Sequence, residues 1–226
     1  MLVFHGSPQL VSVPLYGVGK LWNDYGPGFY CTPDLELAKE WACPDLRDGY
    51  ANQYRFETDG LSCLNLEGNG YHILNWLAIL LENRVFDDTY PIIRQGKQYI
   101  LDHFLPAYKS YDYIVGYRAD DSCFSFAKAF LANTISLEQL NRAMRLGMLG
   151  SQIVLKSPTA FDAIWKEGTY VAPAAVYHPK RMARDRKARA DYLQIQAETM
   201  LEGTRLIDLI KENWTNDDPR LRLLLS

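Results

Sequence analysis

Three short segments of this sequence carry side chains that could act on one ligand together. His5-Gly6-Ser7 closes the apolar run Leu2-Val3-Phe4, and its imidazole stands beside a glycine that would let a ligand approach the backbone. Asn23-Asp24-Tyr25-Gly26-Pro27-Gly28 is a glycine-rich loop feeding two aromatics, Phe29 and Tyr30. Ser151-Gln152-Ile153-Val154 sets one amide side chain in an otherwise apolar stretch. Imidazole, aromatic ring and amide suit a ligand offering ribose hydroxyls, a flat ring and a carboxamide. NAD has all three. Taken one at a time the signals are weak, because each has a plain structural use as a buried histidine, a packed turn or a surface glutamine.

Acidic and basic groups widen the set. Asp120 and Asp121 follow the apolar run Tyr113–Tyr117, where one carboxylate could enter a cleft and the other cap the next helix. Asn23 and Asp24 precede Tyr30 in a loop that either closes over a ligand on its glycines or packs as a rigid turn. Lys180 to Arg189 holds six cations and one acid. Such a run is ordinarily a solvated helix face, and otherwise a contact for phosphate or an acidic partner. It has no aromatic for base stacking. His178, beside Pro179, reads as a loop residue.

The elements that must position these residues alternate between strand and helix. Strands are expected at Leu2–Phe4, Phe29–Cys31, Tyr113–Tyr117 and Gln152–Leu155, with a hairpin-like pair, Asn52–Phe56 and Leu61–Leu66, around Asp59-Gly60. Residues 9 to 28 read as irregular loop. Thr32 as N-cap with Pro33 at the first helical position opens a helix whose buried face carries Leu35, Ala38, Trp41 and Ala42. Helical spacing recurs over Tyr71–Asn83, Ile92–Phe104 and Ser122–Leu131, after Ser136, and as a long helix or pair from about 181 to 213. Thr159–Trp165 reads as a short helix or turn. The result is an α+β domain over residues 1–176 with a helical C-terminal extension over 177–226.

Bulk properties narrow the function classes. A chain of 226 residues that is 48% apolar can fill one core and is short for two. Net charge −3 and a pI near 5.8 argue against a global attraction to nucleic acid or acidic membranes. The longest apolar run, Trp76 to Leu81, falls far short of the roughly 18 residues of a membrane span. Met1-Leu2-Val3-Phe4-His5 enters a strand directly, without a secretory pattern. Cys31, Cys43, Cys63 and Cys123 are scattered without metal-ligand spacing, so no metal and a reducing, cytoplasmic setting are expected.

Several long motifs together resemble a known family. "VFHGSP" from Val3, "NDYGPGFYCTPDLELAKEWA" from Asn23, "YDYIVGYRADDSCFSF" from Tyr111 and "SQIVLKSPTAFDAI" from Ser151 are similar in content and order to the bacterial DUF3990 family, of the ADP-ribosyltransferase-like superfamily. That resemblance implies a split β-sheet core enclosing an NAD cleft. It implies that His5 orients a ribose of NAD, that Tyr30 stacks on nicotinamide and that Gly6 offers its backbone to the carboxamide. Ser7, Asn23, Gly28 and Phe29 complete the expected NAD contacts. Gln152 stands where related transferases carry a glutamate, and an amide can bond a ribose hydroxyl but gives no charge to a developing cation. Asp120 or Asp121 is the expected substitute. The implied activity is transfer of ADP-ribose from NAD to a protein or nucleic-acid acceptor, in a toxin or defence setting with an antitoxin partner. The alternative is a non-catalytic module that keeps the cleft for binding.

Overall fold

In the computed structural model the described residues are all of 1–226 except 69, 87, 120, 147–149, 199–202 and 226, with side chains also left out at 121, 122 and 223–225. Strands β1 (Leu2–Ser7), β3 (Gly49–Phe56) and β7 (Ile164–Ala172) form an antiparallel sheet in the order β1-β3-β7. Strands β2 (Phe29–Cys31), β6 (Ser151–Leu155), β5 (Tyr113–Tyr117) and β4 (Cys63–Asn65) form a second, in the order β2-β6-β5-β4, with only β4 and β5 parallel. The fold is therefore α+β, with two sheets. They touch where Phe4 and Thr32 exchange backbone hydrogen bonds of 2.8 and 2.9 Å. Between them lies an apolar layer of Val3, Phe29, Tyr54, Phe56, Ile153 and Leu155, one face of each alternating strand.

Helix α1 (Leu35–Ala42) covers the other face of β1. Its N-cap is Asp34, whose carboxylate accepts the Glu36 and Leu37 amides, so the helix starts two residues later than a Thr32 cap would place it. Gly6 is the contact point. A Cβ there would lie 2.0 Å from the Ala38 carbonyl oxygen, so the packing of α1 itself requires the glycine.

A larger core is built on α2 (Ile73–Asn83), buried continuously from Ile73 to Leu81. Around it pack α3 (Pro91–Phe104), α4 (Asp121–Leu131) and α5 (Leu137–Ala143). Ser136 caps α5 as expected, with Gln139 completing the box. Helix α6 (Pro158–Asp162) is short, and β7 follows where a turn was expected to end. Two of its residues, Trp165 and Glu167, lie on one exposed face and Val171 on the surface as well, so β7 lacks the clean alternation that signals a strand. The hairpin expectation also fails, since β3 and β4 belong to different sheets.

Helix α7 (Ala174–Ala197) crosses α1 and reaches the larger core, where Tyr192 packs against Phe126 at 4.1 Å between ring centroids. Helices α8 (Leu206–Lys211) and α9 (Pro219–Leu225) follow, with Leu206, Leu209, Trp214 and Leu221 in the same core. The boundary at 176/177 falls inside α7, and the C-terminal helices share a core with the preceding residues. His178 and Pro179 sit within α7 rather than in a loop, and the His178 ring bonds the Cys43 carbonyl at 3.3 Å. No described helix is long and apolar enough to cross a membrane.

Candidate functional site

Beyond the Phe4–Thr32 bridge the two sheets part, and a cleft of about 1080 Å³ opens between β1 and β2. His5, Gly6, Ser7, Asn23, Gly28, Phe29, Tyr30 and Gln152 all line it, joined by Asp24. Residues from three separated stretches of sequence thus converge. Asp120 lies outside the described residues, as does the side chain of Asp121, which begins α4.

His5 is held from two sides. Its Nδ1 lies 2.7 Å from the Tyr30 carbonyl oxygen, which can only accept, so Nδ1 carries the proton and Nε2 is the acceptor. Its ring stacks on Phe29 at 4.4 Å. Burial lowers its pKa below the ordinary 6.5, keeping the neutral tautomer at neutral pH. Backbone geometry adds a second feature at this strand end. Phe4 turns its N–H and C=O to Thr32, and strand alternation turns those of Gly6, two residues on, to the same side. There β2 has diverged, so a donor and an acceptor of β1 face the cleft.

The turn before Tyr30 is clamped. The Tyr30 hydroxyl donates to the Gly26 carbonyl and accepts the Tyr25 amide at 3.1 Å. Lys156 Nζ donates to the carbonyls of Tyr25 and Pro27 at 2.6 Å each. Gly26 takes φ +74°, a left-handed conformation that favours glycine. Asp24 is buried, accepts the Ala119 amide at 3.0 Å and lies 3.9 Å from Arg84. The packed-turn reading therefore describes residues 24–28, and a hinged lid does not. Burial first, and the neighbouring Asp24 carboxylate second, push the Tyr30 phenol far above its usual range, and because its hydroxyl already donates to the Gly26 carbonyl, its ring is what remains to offer a ligand.

Gln152 departs most from ordinary packing. It is 5% exposed, and its Oε1 has no hydrogen-bond partner among the described residues. An unmet buried acceptor costs about 1–3 kcal/mol. A hydroxyl donated by a ligand in the cleft would remove that cost.

Sequence reasoning missed the other wall. Trp41, on α1, lines the cleft with its Nε1–H buried and without a partner among the described residues. The Arg118 guanidinium lies 4.1 Å above its ring. From α7 come Arg181, Met182, Arg184 and Asp185. The segment 180–189, open to a solvated face or to a phosphate, nucleic-acid or acidic-partner contact, thus gives these residues to one side of the cleft. The lining also includes an apolar loop whose Leu10, Val13, Leu15 and Val18 are more than half exposed. Its start is tied to β3, where Asn52 and Tyr54 bond the backbone of Val11. Among the described residues no His, Cys, Asp and Glu cluster has metal-ligand geometry, and all four cysteines are free thiols.

A family model described as "Protein of unknown function (DUF3990)" matches residues 1–165. The chain belongs to the DUF3990 family. Comparison with curated proteins and with solved structures finds no match. The DUF3990 region contains the strand wall, with His5, Tyr30 and Gln152, and also Trp41 and Arg118. It ends before α7, so the arginines that α7 brings to the cleft lie outside the family match.

Proposed function

We propose that this DUF3990 protein is an ADP-ribosyltransferase-like enzyme whose two-sheet core holds NAD as substrate. The orphaned Oε1 of Gln152 carries the reading, because it is a buried acceptor at the cleft wall with no partner among the described residues. In the proposed complex it accepts the 2′-hydroxyl of the nicotinamide ribose. The edge groups of Gly6 take the carboxamide, the Tyr30 ring stacks on nicotinamide and His5 Nε2 accepts a ribose hydroxyl.

The reaction breaks the bond between C1′ and the pyridinium nitrogen. Both electrons go to that nitrogen, so nicotinamide leaves neutral and positive charge develops on the ribose. An acceptor nucleophile then bonds C1′ and releases its proton. Gln152 gives that cation no charge. We assign the electrostatic contribution to Asp24, a buried carboxylate of the same cleft close enough to Tyr30 to raise its phenol. The acceptor is a protein or nucleic acid, and the proposed setting is a cytoplasmic toxin or defence effector with an antitoxin.

The test is incubation with labelled NAD and cell lysate, beside a His5→Ala/Tyr30→Ala double variant checked for folding by circular dichroism. Label transfer and nicotinamide release, both lost in the variant, are expected. A second reading, a binding module without turnover, is favoured by the amide at position 152. NAD binding with no nicotinamide release from folded protein would establish it in place of the enzyme.

A further inference from the structure

We infer that the wall formed by α1 and α7 is a diphosphate subsite, with Arg181 and the Trp41 indole N–H as its ligands. This rests on the NAD reading and extends it to the half of the ligand that the strand wall leaves unassigned.

Charge is the first argument. The protein carries net charge −3, yet its cleft lining holds five cations, Lys20, Arg84, Arg118, Arg181 and Arg184, against three carboxylates. Each of those carboxylates has an arginine beside it. Asp24 lies 3.9 Å from Arg84, Glu40 2.8 Å from Arg184 and Asp185 2.9 Å from Arg189. Arg181 is different, because it makes no hydrogen bond or ion pair with the described residues, although it is only half-exposed and lines the cleft. An arginine brought to a cavity and not spent on a carboxylate matches an anionic ligand.

Geometry is the second. Arg184 clamps α7 to α1 through a two-pronged pair with the buried Glu40, at 2.8 and 2.9 Å. Arg181 lies three residues earlier, on the same side of the helix. The clamp therefore fixes the height of Arg181 against α1, where Trp41 keeps a buried donor without an acceptor. The Arg181 cation and the unspent N–H of Trp41, whose indole also lies under the Arg118 guanidinium, form a donor pair with no matching acceptor among the described residues. A diphosphate supplies acceptor oxygens and negative charge together. Neutral ribose or nicotinamide would leave the cations unanswered.

The experiment is isothermal titration of three probes, NAD, ADP and the phosphate-free nicotinamide riboside, into wild type, Arg181→Gln and Trp41→Phe. Arg181→Gln is expected to weaken NAD and ADP about tenfold or more and to leave nicotinamide riboside unchanged. Trp41→Phe, which removes the N–H and keeps a smaller aromatic ring, is expected to weaken the same two probes by a smaller factor and to leave nicotinamide riboside unchanged. Unchanged NAD and ADP affinity in Arg181→Gln would overturn the subsite, as would equal weakening of all three probes. ADP binding that depends on Arg181 in a protein that does not bind NAD would keep the subsite and sink the NAD reading. Wild type that binds none of the probes would overturn both.

Discussion

The two walls of the cleft are built from different materials. The strand wall, made by β1, β2 and β6, is neutral and aromatic: His5 stacked on Phe29, Tyr30 with its hydroxyl spent, and Gln152 with an unmet acceptor. The helix wall, made by α1, α7 and Arg118, is cationic and offers donors, Arg181 and the unmet N–H of Trp41, while Arg184 is committed to Glu40. One wall suits a flat ring and hydroxyls, the other an anion. Such a division of labour suits a ligand with both kinds of group, and on the proposed reading a local cationic wall offsets the net negative charge of the chain.

Gly6 joins the two walls, and breaking it should have the largest effect. Its missing Cβ lets α1, with Trp41, lie directly on β1, with His5. Gly6→Val should cost more than about 3 kcal/mol, read as a fall in the denaturation midpoint, because the clash is with backbone and no rotamer relieves it. A variant with unchanged stability would show that α1 does not rest on β1 as described.

Arg184→Met should undock the helix wall selectively. It leaves Glu40 buried without its partner, at a cost of about 2 kcal/mol given that Arg184 is itself partly exposed. Hydrogen exchange should rise along α7 while β1 and β6 stay protected. Uniform loss of protection would mean that the walls do not move apart as units.

pH should separate the walls by another route. Arginines do not titrate near neutrality, whereas His5 does once the pH falls below the ordinary 6.5. Its folded pKa is lowered, so the unfolded chain takes up the proton first, and stability falls as the pH drops below 6.5. Protonation also turns Nε2 from acceptor to donor. NAD affinity should decline only at more acidic pH than the onset of that stability loss, as the folded histidine passes its lowered pKa, while ADP affinity, set by the helix wall, should hold. Parallel loss of both would contradict the division.

The smallest effect has the opposite sign. Gln152→Met removes an unmet buried acceptor with little change in volume, so it should stabilise the fold by about 1 kcal/mol while weakening NAD binding. Thermal melts with and without NAD would read both changes. Destabilisation would mean that Oε1 has a partner after all.

The strand wall was legible in the sequence and the helix wall was not, for a physical reason. His5, Tyr30 and Gln152 each sit at a marked spot: a strand end, a glycine turn and an amide in an apolar run. Trp41 occupies a helix face that reads as core, and packing against β1 alone decides that its edge reaches the cleft. The α7 cations look like a solvated run because their neighbours, Glu36 and Glu40, lie more than 140 positions away in sequence. Local spacing signals α2 and the Ser136 cap, since both arise from contacts within a few residues. Sheet partners are set at long range, which is why β3 and β4 resembled a hairpin and β7, with its exposed Trp165 and Val171, gave no strand signal. Helix packing adds a second demand on Gly6 that sequence spacing does not reveal, since α1 leaves no room for a Cβ there.

The most direct test of the central claim is a crystal structure of the protein with NAD. The nicotinamide ribose 2′-hydroxyl is expected within hydrogen-bond distance of Gln152 Oε1, with the diphosphate against Arg181. NAD bound outside the cleft, or bound in reverse with the diphosphate on the strand wall, would contradict it.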